Sequence, residues 1–254
     1  SAGAIAALLH FHRCDGGDGL LEMAARHGDL LLAEAVRDDD GWSWNTIAGV
    51  PGQTGFSHGA SGIAWSLLEL WRATGERRFR DAAREGFRFE RACFDEQRRN
   101  WADFRGREAQ FESVWCHGSG GIGLSRLRAW QILRDDELLA EARVALDDMK
   151  RALPRLENFS LCHGVAGCAD LFIESARVLG DRSYLAIADE AARSGIERYE
   201  CPRRLWPGGM HRMTETPDLM WGTAGIAWFY LRMADGGATP TILTPGGEAE
   251  LAAG

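Results

Sequence analysis

The chain has almost none of the strict apolar/polar alternation that marks a half-buried strand, so β-structure has little support. It has no apolar run approaching the roughly 20 residues that span a bilayer. It also has no excess of basic charge. A net charge of -8 argues against the basic face that nucleic acid or an anionic membrane surface needs. Six cysteines are present, Cys14, Cys93, Cys116, Cys162, Cys168 and Cys201, but their spacing matches no small disulfide framework. A chain of 254 residues buries a core without such staples, and the cysteines read as those of a reducing, cytoplasmic compartment. No initiator Met or basic leader precedes the apolar residues 2–9, so that stretch reads as a helix cut from a longer protein.

What the chain does have is one structural sentence repeated. Ser57-His58-Gly59-Ala60-Ser61-Gly62, Cys116-His117-Gly118-Ser119-Gly120-Gly121, Cys162-His163-Gly164-Val165-Ala166-Gly167 and Met220-Trp221-Gly222-Thr223-Ala224-Gly225 share a Gly-x-x-Gly. With Gly3 as the remnant of a first copy, the second glycines stand at 3, 62, 121, 167 and 225, separated by 59, 59, 46 and 58 residues. Each opens a mostly apolar helix, expected over 4–11, 63–71, 122–133, 169–179 and 226–233. Amphipathic helices follow the first four. One carries an apolar stripe of Leu138, Ala142, Ala145, Leu146 and Met149; another carries Tyr184, Ile187, Ala188 and Ala191. Gly75 and Gly180 fall where a helix end wants a left-handed residue. An all-round apolar helix must be covered on every side, whereas a striped one can face water. The predicted fold is therefore all-α: an α/α toroid with apolar helices inside and amphipathic helices outside. The long connections 38–54 and 94–112 are candidates for function, and residues 236–254 read as a weakly structured terminal tail.

The residue before each first glycine should point into one mouth of the ring, which places His58, His117, His163 and Trp221 together, with Cys116 and Cys162 one residue earlier. Thiolates and imidazole are zinc ligands, and a catalytic zinc keeps three protein ligands and one open position. Cys116, Cys162 and His163 supply that number. The same cysteines also read as buried apolar thiols. Trp115 and Trp221 read as aromatic lining, and His10, His12, His27 and His211 carry no comparable argument.

These motifs, with Asn100-Trp101-Ala102-Asp103 and Glu215-Thr216-Pro217-Asp218-Leu219-Met220, resemble the lanthionine synthetase C-like (LanC-like) cyclases over nearly the whole chain. They look most like the C-terminal cyclase domain of the bifunctional class II lanthipeptide synthetases. The resemblance implies a double ring of seven hairpins, of which about five are represented, so residues 1–254 read as a partial cyclase domain. It implies Zn2+ on Cys116, Cys162 and His163, and His58 as an acid/base residue; His117, next to a ligand, reads as a residue that orients substrate, as a second acid, or as a hydrogen-bonded wall residue. It also implies a catalytic Asp upstream of Ser1, without which the 254-residue piece alone is expected to be inactive. Related stand-alone cyclases often carry an Arg four residues before the first zinc cysteine; here that residue is Glu112, so no Arg role carries over. The implied reaction adds a peptide Cys thiolate to dehydroalanine or dehydrobutyrine, giving a thioether ring. The implied partners are a dehydrated precursor peptide and an upstream dehydratase or kinase-like domain in the same polypeptide. Two other functions fit the residues. One is a non-catalytic helical-repeat binding module with structural cysteines. The other is different chemistry on the same toroid: another thiol addition, zinc-dependent prenyl transfer, or glycan processing, which would want paired carboxylates. Asp170 has no evident partner for that last role.

Overall fold

A computed structural model of the chain describes residues 1–254 apart from 107, 211–214 and 246–254. Its helices alternate between two layers. The inner ones are α1 (Ala2–Asp15), α3 (Ala60–Thr74), α5 (Ser119–Leu133), α7 (Val165–Leu179) and α9 (Thr223–Ala234). The outer ones are α2 (Asp18–Ala33), α4 (Arg77–Ala92), α6 (Asp136–Ala152) and α8 (Ser183–Gly195). Each outer helix packs against the inner helix before it, and successive inner helices pack side by side from α1 to α9. The described residues thus form four hairpins and a fifth inner helix, the architecture of an α/α toroid.

The two layers differ as their sequences require. Eleven consecutive residues are buried in α3 (60–70), in α5 (119–129) and in α7 (165–175). On α6 the stripe Leu138, Ala142, Ala145, Leu146 and Met149 is buried. The Asp135 side chain caps that helix by accepting from the Glu137 N–H, with Asp136 and Glu137 in its first turn and Lys150 and Arg151 in its last, as the helix dipole favours. Of the second stripe only Ala188 is fully buried; Tyr184, Ile187 and Ala191 pack at the core's edge. At the two ends of the arc α1 buries only Ile5 and Leu9, and α9 only Gly225, Ile226, Phe229 and Arg232.

The inner helices begin two to four residues earlier than the apolar patterns suggest, because the Gly-x-x-Gly belongs to the first helical turn. The segment before each helix folds back over its N-terminus. A Cβ on Gly62 would strike the Phe56 carbonyl, and one on Gly167 the Leu161 carbonyl, each six residues upstream. Glycine is there for backbone-to-backbone approach. Gly75 and Gly180 are left-handed caps, with φ of 74° and 69°.

A second pattern emerges when the repeats are aligned on that glycine. The seventh residue beyond it is Glu69, Arg128, Glu174 and Arg232 in successive copies, and all four are buried. Arg128 Nε donates to Glu69 Oε1 at 2.6 Å, and Arg232 pairs with Glu174. Alternating charge therefore stitches α3 to α5 and α7 to α9 at the end away from the mouth.

The long connections contain small hairpins: β1 (Val36–Asp38) pairs with β2 (Gly41–Ser43), and β3 (Phe94–Asp95) with β4 (Asn100–Trp101). Twisted two-residue and three-residue strands are too short to show the alternation that sequence reading looks for. In the expected tail, residues 236–245 hold no helix or strand, yet Thr241, Leu243 and Thr244 are buried and Thr241 bonds Asp170. Residues 246–254 lie outside the described residues. No described helix is long and apolar enough to cross a membrane.

Candidate metal centre

The loops that precede α3, α5, α7 and α9 are hydrogen-bonded in series around one end of the arc. Ser57 N donates to Cys116 O at 3.0 Å, Cys116 N to Cys162 O at 3.1 Å, and Cys162 N to Met220 O at 2.9 Å. These residues occupy the same place in four repeats. Side chains separated by about fifty residues are thereby set next to one another by backbone geometry.

Each loop is also tied down from outside. Glu90 of α4, fully buried, accepts Gly55 N at 2.7 Å and Ser61 N at 3.0 Å, holding both ends of the His58 loop. Asp148 of α6 accepts Ser113 Oγ at 2.6 Å and Ser119 Oγ at 2.5 Å, one on each side of Cys116. Asn158 accepts Ser160 N at 3.0 Å and Ser160 Oγ at 2.7 Å, shaping the turn that carries Cys162 and His163.

Ligand atoms of Cys116, Cys162 and His163 lie within 4.8 Å of one another, all three residues being partly buried. A tetrahedral zinc with Zn–S bonds of about 2.3 Å puts its sulfurs roughly 3.8 Å apart, so closure on a metal requires only a small contraction. The donor chemistry also fits. The Cys116 thiol donates to the Cys162 sulfur, which pulls Cys162 down to about 4 and pushes Cys116 up. His163 also bonds Cys162 and is raised as a result, and Trp221 adds a further hydrogen bond to that sulfur. Two sulfurs thus share one proton beside an imidazole, an arrangement in which a divalent ion would displace protons. His163 Nε2 meets the Gly209 carbonyl at 2.9 Å. That bond selects the Nε2–H tautomer and leaves the Nδ1 lone pair for a ligand.

His58 and His117 stack beside this cluster, ring centroids 5.7 Å apart and planes 22° apart. His58 is exposed, on a separate opening shared with Phe56, Trp65 and Trp115. His117 is buried, and its Nδ1 has no hydrogen-bond partner; Asp103 Oδ2 stands 3.7 Å away. Burial and the nearby Arg105 push His117 down to about 4, so it is an uncharged imidazole at neutral pH. The cleft over the cluster, about 420 Å³, is lined by Arg105, Glu112, Cys116, His117, Arg155 and His163 among others.

The remaining thiols stay outside. Cys168 is buried and Cys93 partly so; desolvation pushes both up to about 12. Cys14 and Cys201 are exposed. His211 lies outside the described residues. Trp115 packs its ring 5.3 Å from Phe56, whereas Trp221 is 40% exposed. Asp103 and Arg105 were missed as parts of the site by repeat-based reasoning, because they sit in the 94–112 connection and not at a repeat position. The length of that connection and its Asn100-Trp101-Ala102-Asp103 motif were the available signals.

The fold and the mouth cluster together define an α/α toroid with a Cys/Cys/His group that could hold a metal ion, and comparison with known proteins sharpens this. The model of the family "Lanthionine synthetase C-like protein" matches residues 1–244, and the chain belongs to that family. Among curated proteins, the lacticin 481/lactococcin biosynthesis protein LcnDR2 of Lactococcus lactis subsp. lactis is 28% identical over 121 residues. That match covers 44% of this chain and only 13% of the relative. Among solved structures, nisin cyclase superposes with a TM-score of 0.57 at 18% identity, over 72% of this chain and 46% of that one. The GH76 α-mannanase BT2949 of Bacteroides thetaiotaomicron gives 0.64 at 18% identity, over 92% and 68%. At such identities these structures share the fold alone.

Proposed function

We propose that the protein is a zinc-dependent peptide cyclase that forms lanthionine or methyllanthionine rings, adding a Cys thiolate to dehydroalanine or dehydrobutyrine in a dehydrated precursor peptide. The convergence of Cys116, Cys162 and His163 within 4.8 Å, beside the stacked His58 and His117, carries this reading. Family membership supports the reaction class. The match to part of a much longer lanthipeptide biosynthesis protein supports a precursor peptide as substrate and residues 1–254 as the cyclase part of a larger synthetase; the motif resemblance makes that a class II synthetase, with a dehydratase or kinase-like domain upstream. Such synthesis belongs to the cytoplasm.

Cys116, Cys162 and His163 would hold Zn2+, which supplies acidification of a thiol that shares its open position. The chain's own residues do the rest. The cleft beside Cys116 seats the dehydro residue in this scheme. Adding sulfur to the β-carbon leaves an enolate that must be protonated at the α-carbon. His58, exposed and in contact with solvent, can carry that proton. His117, buried and uncharged, suits orientation of substrate better than acid catalysis.

Metal analysis of purified protein tests the ligand set: one zinc per chain is expected, and none in Cys162→Ala. A protein without stoichiometric zinc would return the question to a structural role for the cysteines. The glycan-processing alternative has lost its candidate, since Asp170 is paired with Arg232 and bonded to Thr241.

A further inference from the structure

The ring-closing reaction moves one negative charge. As the S–Cβ bond forms, the alkene electron pair shifts toward the carbonyl carbon and the carbonyl pair moves onto oxygen. The proton released by the thiol returns at the α-carbon, and no oxidant or reductant is involved. Something must hold the oxygen while it bears charge, and preorganised donors do this best. Glu112, four residues before Cys116, is acidic and cannot.

The geometry points to Arg105 as the group that receives this oxyanion, an assignment resting on the ring-closing reading above. Arg105 lines the same cleft as Cys116, His117 and His163. Its guanidinium is fixed from behind by Asp103, which is 1% exposed: Nε donates to Oδ2 at 2.7 Å, and Nη2 stands 2.5 Å from the same oxygen. Arg105 N donates to Asp103 Oδ1 at 3.0 Å, so main chain and side chain are bound to one carboxylate. Asp103 is itself anchored by paired backbone bonds with Gln110, at 2.8 and 2.9 Å.

A guanidinium carries five N–H donors in a rigid fork. Asp103 engages one edge, and among the described residues no other acceptor engages Arg105. The free donors therefore stand in a fixed orientation at the cleft, and the Arg105 side chain is 36% exposed, open to a ligand. Arg155 lines the same cleft, but among the described residues no carboxylate clamps it, so it is not preorganised. Asp103, which touches no substrate in this scheme, is a positioning residue.

Two measurements test this on the full-length protein. In steady-state cyclisation of a dehydrated peptide, R105A should lower kcat by about 10²–10³-fold with KM little changed, the signature of a lost oxyanion donor. Independently of activity, Co2+-substituted protein is titrated with mercaptoacetate and with 2-mercaptoethanol, following the thiolate-to-cobalt absorption. The two probes share a thiol, and only one carries an anionic oxygen beside it. R105A should weaken mercaptoacetate by about tenfold, the scale of a partly buried charge-assisted pair, and leave 2-mercaptoethanol unchanged. If R105A loses metal or melts early, R105K, which keeps the charge but not the fork, takes its place and should show both effects at reduced size. Wild-type kcat together with wild-type mercaptoacetate affinity in the folded variant overturns the proposal, as does a rise in KM alone. A wild-type protein that discriminates the probes through Arg105 yet closes no ring leaves the anion site standing and sinks the ring-closing reading instead.

Discussion

Replacing Gly209 by alanine should loosen the metal without unfolding the protein. The Gly209 carbonyl accepts from His163 Nε2 at 2.9 Å, and a Cβ at this position would come within 2.8 Å of His163 Cε1 and 3.0 Å of both Nε2 and Ser160 Oγ. Ordinary carbon contacts need roughly 3.5 Å or more, so the ring must retreat by about half an ångström or tilt. Either motion weakens the bond that fixes the tautomer and misaims Nδ1. Loss of such an outer hydrogen bond costs about 10–100-fold in metal affinity, which is roughly 1.4–2.7 kcal/mol. The core is untouched, since residue 209 is only partly buried in a surface loop, and the melting temperature of metal-free protein should stay within a few degrees of wild type. The assay is competition for zinc against a chromophoric chelator. Long-range 1H–15N correlation of the His163 ring in metal-free protein reports the tautomer directly. An unchanged zinc midpoint and an unchanged Nε2–H tautomer in the variant would refute the argument that Gly209 aims the ligand.

Other expectations follow from the same geometry. Cys162→Ala should lose zinc and cyclisation together, whereas His58→Asn should keep full zinc and lose at least about 10²-fold in rate, the range of general acid–base catalysis; normal ring closure by the second variant would remove His58 from proton transfer. In chelator-stripped protein, Cys162 is an acid held down to about 4, so its alkylation by iodoacetamide should be nearly flat from about pH 8 to 5 and fall as pH drops through about 4, where an ordinary thiol would already slow below about 8.5. Peptide-resolved mass spectrometry checks this; Cys168 and Cys93, pushed up to about 12, should stay unlabelled throughout. Glu90→Ala strips the buried carboxylate from Arg126 and from the Gly55 and Ser61 N–H groups, and should cost about 3–5 kcal/mol. A thermal melt lowered by less than a few degrees would show that Glu141 alone compensates Arg126.

Much of the architecture could be read from residues alone, because its determinants are local. The repeat of Gly-x-x-Gly, the all-round apolar helices and the striped ones each depend on neighbours within a few turns, and together they demand two concentric layers. The candidate ligands were legible for the same reason. A side chain at one repeat position inherits the direction of its equivalents, so repeat position alone sets Cys116, Cys162 and His163 at one mouth. His58 and His117 followed by the same logic.

What the folded molecule alone decided lies between the repeats. The series of backbone bonds from Ser57 through Cys116 and Cys162 to Met220 brings the loops into register, and no single loop contains it. Gly209, Asp103 and Arg105 come from irregular connections whose direction no periodicity encodes, yet they touch or face the centre. Alternating Glu69, Arg128, Glu174 and Arg232 was present in the sequence but had no meaning until adjacent helices set opposite charges side by side. Local chemistry chooses helices and the ends they expose; which donors, acceptors and charges meet there depends on distances across the ring, and only closure of the chain on itself sets those.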